Sequence, residues 1–391
     1  MTLSIWRDFS QDNGVVNADV AVVGGGVAGL AVARQCLARG LKPAVIEARD
    51  LASGATGRNA GFAMTGLSDP YATLIETFGR AMAREIWVTS QANLRELVDE
   101  VAMREQIDCD LRPYGSLVAG WTQDETALLS RSCELLREDG FDVAWCEGTA
   151  LAERLQSLRY QGAISVAADH GVHPVKLVHG LAQRVKTQGG FVLENHEVRR
   201  VEQHSEGVRV HTGRARVDAR YAVLCTNAYT RALEPTLGQH VRPMRGQALC
   251  LEGVQNPLQT LLYTDDGFEY ARPLGHDRVV AGGWRRAFAH DEVGLGDEAT
   301  DGVQQGIEQW VRESWPQWSA ARVSHRWSGA MGFSADGLPL VGVLADRSRV
   351  GYAVGFTGHG LGFAFAAARA VMRCLLGEGS AGIFAPRIAR V

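Results

Sequence analysis

Between 20 and 49 the apolar positions change period twice. VAVV (20–23) is a β-branched run of strand length, and GGGVAG (24–29) is a glycine turn. LAVARQCLARG (30–40) sets apolar residues at helical spacing and closes on Gly40, and PAVIEAR (43–49) is a second short apolar run. Strand, turn, helix and strand make a βαβ unit, whose right-handed crossover predicts a parallel sheet. A polar stretch, LASGATGRNAG (51–61), precedes helical patterns over 71–105 and 123–138. PVKLVHGLAQRVKTQGG opens on Pro174 at a first-turn position and stops at a glycine pair. FVLEN, EVRRVE, GVRVHT and RVDARYAVLC then alternate as strands, and so do RGQALCLEG, FEYARPL and RVVAGGW between 244 and 283. The tail over 351–376 reads strand, glycine turn, Ala-rich helix. The pattern predicts two interleaved domains. One is built from 1–78, 165–235 and 325–391, and the other, β-rich, from 79–164 and 236–324.

Composition narrows the class. The chain has 391 residues, 46% hydrophobic and 21% charged, with a formal charge of −4. That is ordinary for a globular protein and excludes disordered, collagen-like and disulfide-scaffold classes. It gives no electrostatic case for nucleic acid. The opening MTLSIWRDFSQDNG has no basic region followed by an apolar one, no run spans a bilayer, and seven widely spaced cysteines form no CxxC. A cytoplasmic chain with reduced thiols and no transmembrane segment is expected. Of the 40 basic residues only Lys42, Lys176 and Lys186 are lysines. No lysine after 186 is available as an amine base.

Gly24, Gly26 and Gly29 complete GxGxxG between strand and helix. The first permits the tight turn, the second lets a pyrophosphate reach the backbone, and the third lets helix and strand pack closely. Free N–H groups and the positive dipole end of the helix then face the phosphates. Glu47 ends the second strand about twenty residues on, where a carboxylate accepts ribose hydroxyls and repels a 2′-phosphate. The motif itself fits NAD or FAD. A second glycine turn, TGHGLGFAFAAARAV from Thr357, also precedes a helix, whose N-terminus suits the pyrimidine end of a flavin. The fold class is therefore α/β, a Rossmann-like FAD-binding domain interleaved with a β-rich substrate domain.

VAVVGGGVAGLAVA, VIEA, SGATGRNAGF, GVHPVKLVHGLAQRVKTQGG, VLCTNAYT, VRPMRGQ, FEYARPL with VVAGG, WSGAMGFSADGLPLVG and GFTGHGLGFA occur in that order over nearly the whole chain. Together they resemble the FAD-dependent D-amino-acid oxidase superfamily, in its bacterial glycine, sarcosine and γ-glutamylputrescine oxidase-like branch. The resemblance implies non-covalent FAD. Gly24, Gly26, Val27, Ala28 and Gly29 would form the dinucleotide turn, with Glu47 and Ala48 at the ribose. Ser53, Gly54, Ala55 and Thr56 would follow the pyrophosphate, and Arg58, Asn59, Ala60 and Gly61 would line the flavin. Val198 would meet adenine, Thr226 and Asn227 would lie beneath the cofactor, and Gly358, Gly360, Leu361 and Gly362 would approach the pyrimidine edge. Histidyl-flavin relatives carry His where this chain has Arg58. Sarcosine oxidases use a flavin-linking Cys and active-site lysines that this chain lacks.

The implied chemistry is hydride transfer from an amine or amino acid to flavin, giving an imine that hydrolyses. Oxygen, a quinone or another acceptor would take the electrons. Arg272 and His359 are the catalytic candidates. Arg272 suits a substrate carboxylate or is one structural arginine among many. His359 hydrogen-bonds flavin or substrate, or orients its own loop. Arg245, Tyr263, Tyr270 and Trp327 are candidate substrate contacts, though aromatics at such positions are most often core. Asp265, Asp266 and Asp336 read as turn carboxylates, and no metal site is expected. Alternatives are a flavin hydroxylase, a glycerol-3-phosphate-type dehydrogenase, or an FAD-bearing subunit that passes electrons to a partner.

Overall fold

The computed structural model describes residues 14–385. Residues 1–13 and 386–391, given above to the cofactor domain, lie outside them. The first apolar run becomes the strand Val15–Val23, central in an eight-stranded sheet. The strand order is Leu340–Leu344, Arg347–Val354, Arg216–Leu224, Val15–Val23, Pro43–Ile46 and Phe191–Leu193. The last five of these strands are parallel, as the βαβ pattern predicts. Val208–Thr212 and Val198–Gln203 extend the sheet antiparallel from Arg216–Leu224.

The sheet is covered on both faces, which explains its near-continuous apolar strands. Val20 and Val22 point into a core shared with the helices Val27–Leu37, Pro174–Thr187 and Gly360–Leu375. Ala21 and Val23 point into a second core with Val201, Val208 and Val217. Val23 lies level with both Ile46 and Leu224, so three strands end flush. Ligands of open α/β sheets sit at such carboxyl ends.

A second eight-stranded sheet runs Arg322–Phe333, Arg242–Glu252, Arg278–Gly283, Glu269–Leu274, Leu261–Thr264, Ser116–Gly120, Gly162–Val166 and Ala144–Glu147. Side chains alternate across it. Leu262 and Ala271 pair on the face under the helix Asp301–Ser314, while the next pair, Tyr263 and Tyr270, faces the other way. On the covered face Trp315 stacks on Trp318 at 4.6 Å between ring centroids, and its Nε1 donates to Leu155 O at 2.7 Å.

Two segments sit differently from the sequence reading. Ile86, Leu94, Leu97 and Val101, on the helical segment 80–104, belong to the first core, because their apolar stripe packs against Gly360–Leu375. The whole of Arg322–Phe333 belongs to the second sheet, so the expected boundary at 325 falls inside a strand. Its pairing runs unbroken from Arg242 to Cys250, and hydrogen-bonded neighbours outweigh proximity in sequence.

Candidate active site

At the flush strand ends Gly24 N donates to Ile46 O and Cys225 N to Val23 O, both at 2.8 Å. A Cβ on Gly29 would lie 1.9 Å from Gly24 O, so only glycine lets this helix start so close to the turn. Glu47 turns back over it. One carboxylate oxygen accepts from Gly25 N at 2.7 Å and the other from Arg49 N at 3.0 Å. Val27 N donates to Thr56 Oγ1 at 3.1 Å, which ties the helix Ala55–Arg58 to the dinucleotide turn. His196 N donates to Glu47 O, which brings the start of the strand Val198–Gln203 alongside.

Three observations fit a bound dinucleotide here. The buried Ser53 hydroxyl has no hydrogen-bond partner among the described residues. A Cβ on Gly54 or Gly360 would meet nothing within 4 Å, and one on Gly358 only Met331 Sδ at 3.9 Å. The start of the helix Ala55–Arg58 and the C-terminal glycine turn thus present bare backbone to open space. Asn227 acts from behind: its Oδ1 accepts from Gly355 N at 2.9 Å and Phe356 N at 3.3 Å, clamping the C-terminal turn. Thr226 bonds Thr230. Asn93, fully buried on the helix Arg80–Arg95, donates to Leu361 O and accepts from Phe365 N and Ala366 N, fixing the start of the final helix. Sequence reading missed this residue, since nothing local marks a helical Asn as a clamp.

Between the units lies a cleft of ≈ 950 Å³, counting its open mouth. Ala55, Arg58, Asn59 and Ala60 line one side, Gly358, His359 and Leu361 the end, and Tyr263, Tyr270, Arg285 and Phe333 the wall from the second sheet. His359 Nδ1 lies 2.9 Å from Thr357 O, and its Nε2 lies 3.4 Å from the Tyr263 hydroxyl. A carbonyl only accepts, so Nδ1 carries the proton and Nε2 offers a lone pair. Burial holds the His359 pKa below its ordinary value and keeps the ring neutral. Burial pushes the Tyr263 hydroxyl up, and that of Tyr270 to about 12, so both stay protonated.

Three expected substrate contacts stand outside this cleft. Arg272 is buried, and its Nη1 donates to Ala60 O, Gly61 O and Val172 O at 2.7–3.1 Å. Its fork fastens the 60–61 loop and does not line the cleft. Arg245 pairs with buried Glu292 at 3.2 Å and bonds Asp291 O. Trp327 Nε1 donates to Arg58 O at 2.9 Å, and Arg58 Nη1 to Ser328 O at 2.8 Å, locking the two units together. In their place the cleft holds Arg285, which sequence reading passed over. Its only local signal is its place after the glycine pair 282–283, one arginine among many. Asp265 and Asp266 form the expected turn, at φ 48° and 51°. No group of three or more potential metal ligands occurs among the described residues, and no helix among them is long and apolar enough to cross a membrane.

The chain is similar to known proteins in sequence and in fold. The chain is 27% identical over 382 residues to gamma-glutamylputrescine oxidoreductase of Escherichia coli (strain K12), covering 95% of this chain and 87% of that protein. Glycine oxidase of Geobacillus kaustophilus (strain HTA426) is 27% identical over 355 residues, 88% of this chain and 89% of that one. The crystal structure of glycine oxidase from Geobacillus kaustophilus shares the fold, with a TM-score of 0.81 at 22% identity over 96% of this chain and 100% of that one. The family model described as FAD dependent oxidoreductase (DAO) matches residues 19–373. A chain with paired glycine turns, flush strand ends and that match over most of its length belongs to the DAO family of FAD-dependent oxidoreductases.

Proposed function

We propose that the chain oxidises a C–N bond of an amine or amino acid, holds FAD without a covalent bond, and works in the cytoplasm. Bound FAD supplies a hydride acceptor. In the substrate the C–H bond beside nitrogen breaks, its electron pair leaves with the hydrogen, and the nitrogen lone pair closes a C=N bond. Water then adds to the imine, releasing a carbonyl compound and the amine or ammonia.

The observation that carries this reading is the neutral pair Tyr263–His359, which lines the same cleft as Asn59 and Ala60. Neither group carries charge at neutral pH, and the aromatic side chains Phe62, Tyr270 and Phe333 line the cleft beside them. An ammonium entering such a place loses solvation and gives up its proton, which frees the lone pair the reaction requires. Gamma-glutamylputrescine oxidoreductase and glycine oxidase, which this chain resembles, are named for an amine and an amino acid. Among the described residues no cysteine lines the cleft, and His359 there has Nδ1 bonded to Thr357 O, which favours a flavin held by contacts alone. Acid precipitation tests this, since a non-covalent flavin leaves with the supernatant. Seven unpaired cysteines suit a reducing compartment.

Anaerobic mixing with a panel of amines and amino acids bleaches the oxidised flavin absorbance if the reading holds. A panel that leaves the spectrum unchanged refutes it. Admitting air afterwards separates oxygen from a quinone or another electron acceptor by whether the colour returns promptly.

A further inference from the structure

We propose that Asn93 is a positioning residue for the cofactor. By bridging one rung of the helix Gly360–Leu375 it aims that helix's free N–H groups at the flavin, and so sets how much more tightly the protein holds reduced FAD than oxidised FAD. The inference rests on FAD lying with its pyrimidine edge at the second glycine turn, and it is independent of which substrate is oxidised.

Asparagine is a poor choice for the interior of a helix, because its amide competes with the backbone for hydrogen bonds, and once buried that amide needs partners. Asn93 is 0% exposed on the helix Arg80–Arg95, and all its bonds go to one place. Its Nδ2 donates to Leu361 O at 2.8 Å, while its Oδ1 accepts from Phe365 N at 2.9 Å and Ala366 N at 3.2 Å. The partners fix the amide's orientation, since a carbonyl only accepts and a backbone N–H only donates. Leu361 and Phe365 are four residues apart, so this carbonyl and this N–H are the two ends of one helical rung. A side chain inserted at a rung lets the first turn tilt against the turns that follow. Asn93 therefore sets the tilt of the turn that opens the last helix.

That turn has no cap of its own. His359, at the N-cap, makes no side-chain cap bond, because its Nδ1 is taken by Thr357 O. Gly360 N and Leu361 N donate to no group among the described residues, and Gly358, His359 and Leu361 line the end of the cleft. Free N–H groups at a helix start carry the positive end of its dipole. Reduction adds electrons to the flavin ring, so partial positive charge there favours the reduced form, and most when its aim is held in advance. The same helical segment is tied again further along. Glu96, three residues after Asn93, pairs with Arg34 of the helix Val27–Leu37 and with Arg369 of the last helix. Those ties meet both helices away from their glycine turns, whereas Asn93 meets the last helix at its start.

Equilibrating the FAD-loaded protein with a reference dye during stepwise reduction reads the potential. Wild type is expected to hold reduced FAD roughly 10-fold more tightly than oxidised FAD, which places its two-electron potential ~30 mV above that of free FAD. Asn93→Leu, an apolar side chain of similar size, removes all three bonds and should return the potential close to that of free FAD. Asn93→Ala takes its place where the larger side chain does not fold. Arg369→Met loosens the same pair of helices away from the first turn, and should lower Tm without moving the potential. A wild-type potential at or below that of free FAD overturns the proposal, and that comparison needs no variant. So does an Asn93→Leu protein that melts earlier and binds FAD more weakly at an unchanged potential, or an Arg369→Met protein whose potential falls as far. Dye equilibration uses no substrate, so the two readings fail separately. A flavin that no amine bleaches removes C–N oxidation and leaves this assignment standing, while prompt bleaching beside an unmoved Asn93→Leu potential does the reverse.

Discussion

Arg272→Met separates fastening from recognition. Arg272 is 5% exposed; its Nε donates to Pro273 O at 3.2 Å and its Nη1 to three further carbonyls. The guanidinium also fills space that no other group occupies: a Cβ on Gly61 would meet Nη1 at 2.6 Å and one on Gly171 would meet Nη2 at 2.8 Å. Methionine keeps the apolar stem and leaves the carbonyls of Ala60, Gly61 and Val172 without this donor. Each bond to a charged donor contributes about 1.5–3 kcal/mol. Removing a buried cation returns several kcal/mol of desolvation. The net loss is about 3 kcal/mol. At roughly 2 cal/mol/K per residue, the unfolding entropy of a 391-residue chain is ~0.8 kcal/mol/K, so Tm falls by ~4 °C. Because Arg58, Asn59 and Ala60 line the cleft, the same loosening weakens FAD by up to about 100-fold, read by flavin fluorescence titration. At saturating FAD the substrate KM should stay within about twofold of wild type. Unchanged Tm and FAD affinity with a steeply raised KM would refute the reasoning and put the fork on the substrate.

Three other substitutions probe separate steps. Glu47→Gln keeps one acceptor oxygen and sets its amide N–H against either the Gly25 or the Arg49 donor, so FAD affinity should drop by roughly 10-fold while the Tm of the apoprotein moves little; unchanged affinity contradicts the role given to that carboxylate. Gly29→Ala forces the helix off the Gly24 carbonyl, and the purified protein should be colourless; retention of full flavin absorbance counts against the close-packing argument. Asp169 is fully buried, accepts from Thr65 and Ser116, and has its pKa pushed up to about 7 by that burial. The folded chain therefore keeps a proton that the unfolded chain loses near pH 4, so the contribution of Asp169 to stability is greatest below that pH and declines as pH rises to about 7. Asp169→Asn removes this decline, and Tm measured from pH 4 to 8 should slope less than in wild type; equal slopes would sink the assignment.

The parts of the fold legible in sequence are those with a local cause. The turn 24–29, the helix from Pro174 and the glycines before the last helix each announce themselves through neighbouring residues. Arg245 and Arg272 look alike in sequence, yet one pairs with Glu292 and the other binds carbonyls from two distant segments. Arg285 stands against Phe268 and Phe333, which only folding gathers. The same holds for Asn93, whose partners lie near the other end of the chain.

The pairing of Val15–Val23 with Arg216–Leu224 also constrains how the protein is made. The dinucleotide strand leaves the ribosome ~200 residues before that parallel neighbour, an interval of about 10–40 s at roughly 5–20 residues per second. Arg347–Val354, which completes the parallel order, comes later still. Through that interval a strand whose last four residues are wholly apolar, and its glycine turn, have only Pro43–Ile46 for a partner, and they depend on chaperones or transient local contacts to stay soluble until Arg216–Leu224 arrives.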